Sequence, residues 1–227
     1  MNKTEHNTKQ HFQTYRNPTS FEVPRKNKVA NIEDCSNDLM ETHSLEYIRL
    51  SLEHDQKNSL DLVSLLEKHH EFLRESAKYL QAPNVEPQLK QFHLSRLLHI
   101  LNMHSKAQEE TLFTNLIASD AQDARMEGFE GRYTSTLIFQ LGYELYAMNF
   151  FKAWSEEIEV KTKILLSNVL NRIKQDEEKT FEIAENRLTR DELEYLASQY
   201  VAKCINYLDD ELNMPQISLL DPSYVAH

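Results

Sequence analysis

Two stretches of this chain repeat one pattern. Residues 101–113 read LNMHSKAQEETLF, and residues 169–181 read VLNRIKQDEEKTF. When the second is laid over the first, His104 lies over Arg172. Gln108 lies over Asp176 in the same alignment, and both stretches end in Phe. Because each belongs to a helix with an apolar stripe, the repeat indicates two similar helical hairpins and predicts an antiparallel up-down four-helix bundle.

The helical pattern continues on both sides of these stretches. Apolar residues at helical spacing predict helices at about 59–80, 87–118, 132–153, 156–187 and 190–208, with a further helix that ends near Asp55. The segment Ser119–Gly131 is polar and holds two glycines, so we expect it to be the main connection between the two halves. The bundle, with an extra N-terminal helix and a C-terminal helix, is then expected at residues 43–209. Residues 1–42 are expected to be a flexible N-terminal tail, and residues 210–227 a C-terminal tail.

The composition limits the fold class and the partners. Three glycines and six prolines in 227 residues are too few for many short strands, and 40% hydrophobic residues suffice for a sizeable core, so we expect an all-α protein. A formal net charge of -11 argues against binding to nucleic acid or to an anionic membrane surface. The chain has no transmembrane run and no apolar signal segment, and Cys35 and Cys204 are far apart. We therefore expect a cytoplasmic protein with reduced thiols.

The positions of the histidines resemble those of a known family. His70 lies in the run LEKHHEF at residues 66–72, and His104 precedes Gln108 by four residues in a helix that continues to Leu-Phe. This order resembles the first hairpin of the hemerythrin-like cation-binding family over about residues 44–208. The resemblance implies a four-helix bundle with a non-heme di-iron centre that serves oxygen binding, iron or nitrosative-stress handling, or redox sensing. It implies His70, His104 and Asp176 as metal ligands, with Glu144 as a fourth candidate.

Two further positions depart from the family's pattern. Gln108 stands where the resemblance implies a bridging carboxylate, and Arg172 stands where it implies a histidine. A guanidinium repels a divalent cation at short range, and a di-iron centre needs about five or more protein ligands. Arg172 and Asp176 lie four residues apart, so they could form an internal ion pair that also receives Gln108 or Glu144. Periodicity leaves open whether Arg172 points inwards or outwards.

The sequence leaves two functions open. We favour a non-enzymatic regulatory or interaction protein with a degenerate metal site, no cofactor, and a protein partner or a second copy of itself. The alternative is a non-heme iron-binding protein for oxygen, nitric oxide or redox sensing or for iron handling. An oxygenase of the ferritin-like or heme-oxygenase-like kind is a remote third. The ferritin-like version needs a Glu-(x)2-His motif on each of two helices, and the chain has only the one that ends at His70.

Other chemistry-bearing residues favour structural roles. His69 and His70 are adjacent and point about 100° apart on a helix, so we expect only one of them to enter the core. The sequence shows no Gly-rich phosphate loop, no Ser-His-Asp order and no reactive cysteine motif. Hydrolase and kinase functions are therefore not supported.

Overall fold

The computed structural model describes residues 49, 51, 52, 54 and 60–213. All regular secondary structure within these residues is helical. The main helices are α1 (Leu62–Gln81), α2 (residues 87–118), α3 (Gln122–Ala147), α4 (residues 156–187) and α5 (Arg190–Asn213). The all-α class is thus confirmed for the described residues, and α5 extends beyond its predicted end. The predicted tail at 1–42, most of the helix predicted before Asp55, and the C-terminal tail after 213 lie outside the described residues.

Side chains that accept hydrogen bonds from the first turn fix several helix starts. Asp61 caps α1, where its Oδ1 accepts from a backbone N–H at 2.9 Å. Ser155 caps α4 in the same way at 3.2 Å. Before α5, the Thr189 N–H donates to Glu192 Oε2 at 2.7 Å and the Glu192 N–H donates back to Thr189 Oγ1 at 3.3 Å. These residue types satisfy N–H groups that a helix start leaves without partners, so the starts are readable in the sequence.

The expected connection at Ser119–Gly131 is mostly helix, and that prediction is wrong. α3 covers Gln122–Ala147 rather than the predicted 132–153. Gly131 lies inside the helix, where an added Cβ would stand 2.6 Å from the ring of Phe113. The glycine therefore lets α3 approach α2 closely, a use that sequence alone does not separate from a turn.

The first two helices form an antiparallel hairpin. Tyr79 stacks on His93 near the connection, with ring centroids 4.4 Å apart. Further from it, His70 lies beside His104, with ring centroids 5.2 Å apart. α1 also packs against α4 and α5, and α2 also packs against α3 and α5. One face of the hairpin is therefore covered by α5 and another by the second pair of helices.

The third and fourth helices are antiparallel as well, and ion pairs join them at both ends. Arg187 pairs with Asp123 at 2.8 Å, and Lys161 pairs with Glu144 at 2.5 Å. The core between the helices is mainly aliphatic, and its largest fully buried side chains include Tyr200, Phe113, Phe150, Leu62, Leu65, Leu66, Leu94 and Leu97. Among the described residues, no helix has an apolar run long enough to cross a membrane.

Two of the helices, α2 and α4, contain a short π-helical segment at corresponding places of the sequence repeat. Glu109–Phe113 in α2 and Asp176–Thr180 in α4 are π-helical turns, in which hydrogen bonds span five residues instead of four. The first starts directly after Gln108 and the second starts at Asp176. The irregular turns therefore lie at the two positions that the sequence repeat aligns.

Candidate functional site

Three of the four metal-ligand candidates lie together between the helices, and the fourth does not. His70 on α1, His104 on α2 and Asp176 on α4 are all buried. His70 Nε2 lies 3.8 Å from Asp176 Oδ2. Glu144 is on α3 near the protein surface, where it pairs with Lys161 instead. The structure therefore leaves a group of three candidates, without Glu144.

Arg172 points into this group. It is 5% exposed, and its Nη2 donates to Asp176 Oδ1 while its Nε donates to Asp176 Oδ2 at 3.3 Å. The guanidinium also lies over the ring of Phe113, with its central carbon 5.0 Å from the ring centroid. The internal Arg172–Asp176 pair considered from the sequence is thus present, and the direction of Arg172 is inward.

Gln108 completes the contacts of Asp176. Its Nε2 donates to Asp176 Oδ2 at 3.1 Å, and Gln108 is itself 2% exposed. The two residues that the repeat aligns therefore touch each other across the core. A neutral amide can donate this hydrogen bond, whereas a glutamate at position 108 would place a second carboxylate beside Asp176.

A buried carboxylate from α3 lies on the other side of Arg172. Glu127 Oε1 accepts from Thr180 Oγ1 at 2.7 Å, and Arg172 Nη2 lies 3.2 Å from the same hydroxyl and 4.0 Å from Glu127 Oε1. Lys179 Nζ lies 2.5 Å from Glu127 Oε2. Sequence reasoning missed Glu127 because it falls in the segment that was expected to be a connection. Had that segment been recognised as helix, its acidic residue would have been a candidate.

A second ion pair, between Arg74 and Glu177, flanks His70. The Nδ1 of His70 lies 3.1 Å from Glu177 Oε1, and Arg74 donates to the other oxygen of that carboxylate. Partial burial opposes the charge of Glu177, but hydrogen bonds from Arg74 and His70 outweigh it and lower the pKa of this carboxyl. Because an ionised carboxylate only accepts, the His70 Nδ1 carries the proton and its Nε2 is the free acceptor.

Two further buried histidines, His69 and His104, both contact the hydroxyl of one tyrosine. His69 Nδ1 and His104 Nδ1 lie 2.6 and 2.7 Å from the Tyr200 hydroxyl. Both His69 and His70 are therefore buried, and the expectation that only one of them enters the core is wrong. α1 packs against α4 on one side and α5 on another, so two neighbouring residues each face a different helix. Helical spacing on α5 could have predicted that Tyr200 points inward. It could not have predicted which residues Tyr200 contacts.

Burial keeps these histidines neutral. It lowers the pKa of His69 to about 3, lowers that of His104 well below the ordinary value, and lowers that of His70 despite the nearby Asp176 and Glu177. It also raises the pKa of Tyr200, so the phenol keeps its proton. Because the phenol has a single proton, it can donate to at most one Nδ1, and at least one imidazole donates its own Nδ1–H to the phenol oxygen.

The charges of the cluster balance within the protein. With the histidines neutral, its cations are Arg74, Arg172 and Lys179. Its carboxylates are Glu127, Asp176 and Glu177. The cavity beside His70, His104, Gln108, Arg172 and Asp176 has a volume of about 10 Å³. This is roughly the space of one water molecule. Side chains thus fill this interior, and many of their polar atoms pair with one another.

The residues do not fit a di-iron centre. Among residues 49, 51, 52, 54 and 60–213, no group of three or more His, Cys, Asp or Glu side chains is placed to hold a metal ion. Asp176, which would have to bind the metal, accepts hydrogen bonds from Arg172 and Gln108 instead. Where the resemblance implies a histidine and a bridging carboxylate, the structure has a permanent cation and a neutral amide, which are poor metal ligands.

The buried polar residues around Arg172 and the histidines, here called the polar cluster, connect all five main helices through contacts that span most of the described chain. Gln108 and Asp176 are 68 residues apart, and His69 and Tyr200 are 131 residues apart. What the cluster can do chemically is hold these helices in one arrangement, because several of its buried polar groups have their partners on another helix. Comparisons with protein-family models, curated proteins and solved structures find no match to this chain.

Proposed function

We propose that this chain is a hemerythrin-like up-down four-helix bundle in which an ionic network takes the place of a metal centre. We further propose that it acts as a non-enzymatic regulatory or interaction protein. The observation that carries the proposal is the buried Arg172, whose guanidinium is held by Asp176 with Gln108 alongside.

Electrostatics supports a metal-independent core. A divalent cation beside Arg172 would be repelled by several kcal/mol at an effective dielectric constant of about 20. Asp176 would also have to give up the hydrogen bonds that neutralise its charge. Leaving Arg172 without that partner inside the core would cost about 3–5 kcal/mol.

The packing of the helices supports the bundle. Along the chain, α1 packs against α2, α2 against α3 and α3 against α4, and α4 closes the set by packing against α1. α5 then packs against α1 and α2 as the additional C-terminal helix. A closed ring of four helices with antiparallel neighbours is what the up-down arrangement requires.

The size of the cavity argues against catalysis inside the polar cluster. Enzyme sites are clefts of roughly 300–1,000 Å³. The cavity in the polar cluster is about 10 Å³ and has no room for an organic substrate. The nearby Cys204 thiol is buried, and burial raises its pKa, so it is a poor nucleophile. The buried groups are thus better suited to hold the fold than to react.

Metal analysis tests this proposal. The full chain, purified without a histidine tag from iron-supplemented cells, should hold less than about a tenth of an equivalent of any transition metal by elemental mass spectrometry. Its melting temperature should be unchanged by a chelator, because a structural metal would contribute binding free energy to folding. About two irons per chain, or a melting temperature that drops with chelator, would overturn the proposal.

One observation favours the alternative, a protein that binds a single non-heme iron. His70 Nε2 is buried without a hydrogen-bond partner, and its Nδ1 is oriented by Glu177 as second-sphere carboxylates orient histidine ligands. About one iron per chain in the same analysis, lost in His70→Gln, would support it. A double variant, Gln108→Glu with Arg172→His, restores family-like ligands and provides the positive control for iron loading.

A further inference from the structure

The outward face of α3 carries a stripe of large apolar side chains. Met126, Phe129, Tyr133 and Leu137 are 62%, 41%, 73% and 49% exposed. Their spacings of three and four residues place them in one line along the helix. A line of four such side chains is more than the scattered exposed apolar residues that any surface shows.

This stripe is symmetric about Tyr133. Phe129 and Leu137 lie four residues to either side of it, and Met126 and Gln140 lie seven residues to either side. In two antiparallel helices related by a two-fold axis, the residue on the axis meets its own copy. Residues at equal distances before and after the axis then meet each other. A stripe of this kind is complementary to itself.

We propose that α3 pairs with α3 of a second copy of the chain, antiparallel, with the two-fold axis at Tyr133. Phe129 of each copy then packs against Leu137 of the other, and Met126 packs against the aliphatic part of Gln140. The inference names the partner for the interaction role proposed above and rests on it in that respect. It uses a surface distinct from the buried polar cluster.

The charges beside the stripe permit this pairing. Arg132 and Glu130 flank Tyr133 and would face Thr134 and Thr136 of the second copy. Arg132 Nε lies 3.0 Å from Glu109 Oε1, and Glu130 Oε2 lies 3.6 Å from Lys179 Nζ. Each flanking charge is therefore compensated by a partner within its own chain, so like-charge repulsion across the axis is weak.

The size of the stripe sets the expected affinity. The positions from Met126 to Gln140 cover roughly 21 Å of helix. Covering the exposed apolar area on both copies would bury on the order of 1,000 Å², at the lower limit of specific interfaces. We therefore expect a reversible dimer with a dissociation constant in roughly the micromolar range.

Molecular mass in solution tests the dimer. Sedimentation or light scattering on the full chain should give a mass that rises with concentration towards twice the 26.7 kDa of one chain. Tyr133→Glu should keep the mass of a single chain at every concentration, because it places two charges on the axis. The matched control is Tyr195→Glu on α5, a tyrosine that is 64% exposed and outside the stripe, which should dimerise like the parent.

A cross-link tests the position of the axis. In a Cys35→Ser background, Tyr133→Cys should form a disulfide-linked dimer on mild oxidation, because only the residue on the axis meets itself. Phe129→Cys and Leu137→Cys should each cross-link poorly alone and well when mixed. A parent that stays monomeric, or a dimer that Tyr133→Glu leaves intact, would overturn the inference. Neither result would bear on the metal content, so failure here is distinct from failure of the proposed function.

Discussion

Arg172 is the residue on which the polar cluster depends. Its side chain is buried and contacts an acid from its own helix, a hydroxyl one turn further on and an aromatic ring from α2. Removing a charged group from water is costly, and the cost is offset only while its partners stay in place. Loss of the arginine would leave Asp176 buried with the weaker hydrogen bond from Gln108.

Replacement of Arg172 by methionine should destabilise the protein by about 3–5 kcal/mol, because it leaves an uncompensated buried carboxylate. Urea unfolding of the parent and Arg172→Met measures the change. The double variant Arg172→Met with Asp176→Leu should recover much of the loss, since an apolar pair of similar volume can replace a buried ion pair.

The control for this prediction is a surface pair with the same spacing. Arg190 pairs with Glu194 at 2.8 Å and is 88% exposed at its side chain. Arg190→Met should change the unfolding free energy little, because solvent screens such a pair. If Arg172→Met were as mild as Arg190→Met, the buried network would not be holding the fold.

At this scale the sequence predicted the local contact and named Gln108 as a possible partner of that pair, and it missed the contacts of Tyr200 and Glu127. The Arg172–Asp176 pair follows from a four-residue spacing on one helix. Tyr200 reaches His69 across 131 residues, and no local pattern encodes that approach. Both His69 and His70 are buried because α1 is packed on two sides. Such a helix buries neighbouring residues that periodicity assigns to different faces.

The π turns are the irregular elements of the structure. In each, a turn holds one residue more than an α-helical turn. The turn in α4 starts at Asp176, so the extra residue adjusts how the acid and Thr180 are presented to Arg172. π turns are often found at functional sites, and here they fall on the cluster.

Deletion of Glu178, an exposed residue inside the π turn of α4, should be tolerated. The deletion removes the extra residue, and α4 can continue as regular helix with Phe181 still facing the core. Deletion of Ser167, exposed within the regular part of α4, should destabilise the protein strongly. It would rotate one side of the helix by about 100° relative to the other. Thermal unfolding followed by circular dichroism compares the two, and equal losses would contradict the role assigned to the π turn.

Helix positions were predictable where a local signal marks the ends. The predicted bounds of α2 and α4, 87–118 and 156–187, agree with the structure because a proline and a capping serine start them. The start of α3 failed because Gly128 and Gly131 serve close packing against α2. The π turns also lie beyond sequence reasoning, since they do not change the type of element or the apolar stripe around them.

Buried neutral histidines give the whole molecule a pH dependence. The pKa values of His69, His70 and His104 are all lowered in the folded chain, mainly by burial, whereas the unfolded chain titrates near 6.5. Below that pH the unfolded chain takes up protons that the folded chain excludes. The stabilisation from the neutral histidines is therefore present above pH 6.5 and is lost as the pH falls.

Stability should decline steadily between pH 6.5 and about 4.5, before the carboxylates with lowered pKa values, such as Glu177, contribute. His69 alone, with a folded pKa of about 3, should cost roughly 1 kcal/mol per pH unit in this window. Urea unfolding at a series of pH values measures the slope. His93→Phe should make the slope shallower, because His93 stacks on Tyr79 and burial lowers its pKa to about 4. A stability that stayed flat from pH 7 to 5 would mean that the histidines titrate normally in the fold, and that the cluster is open to water.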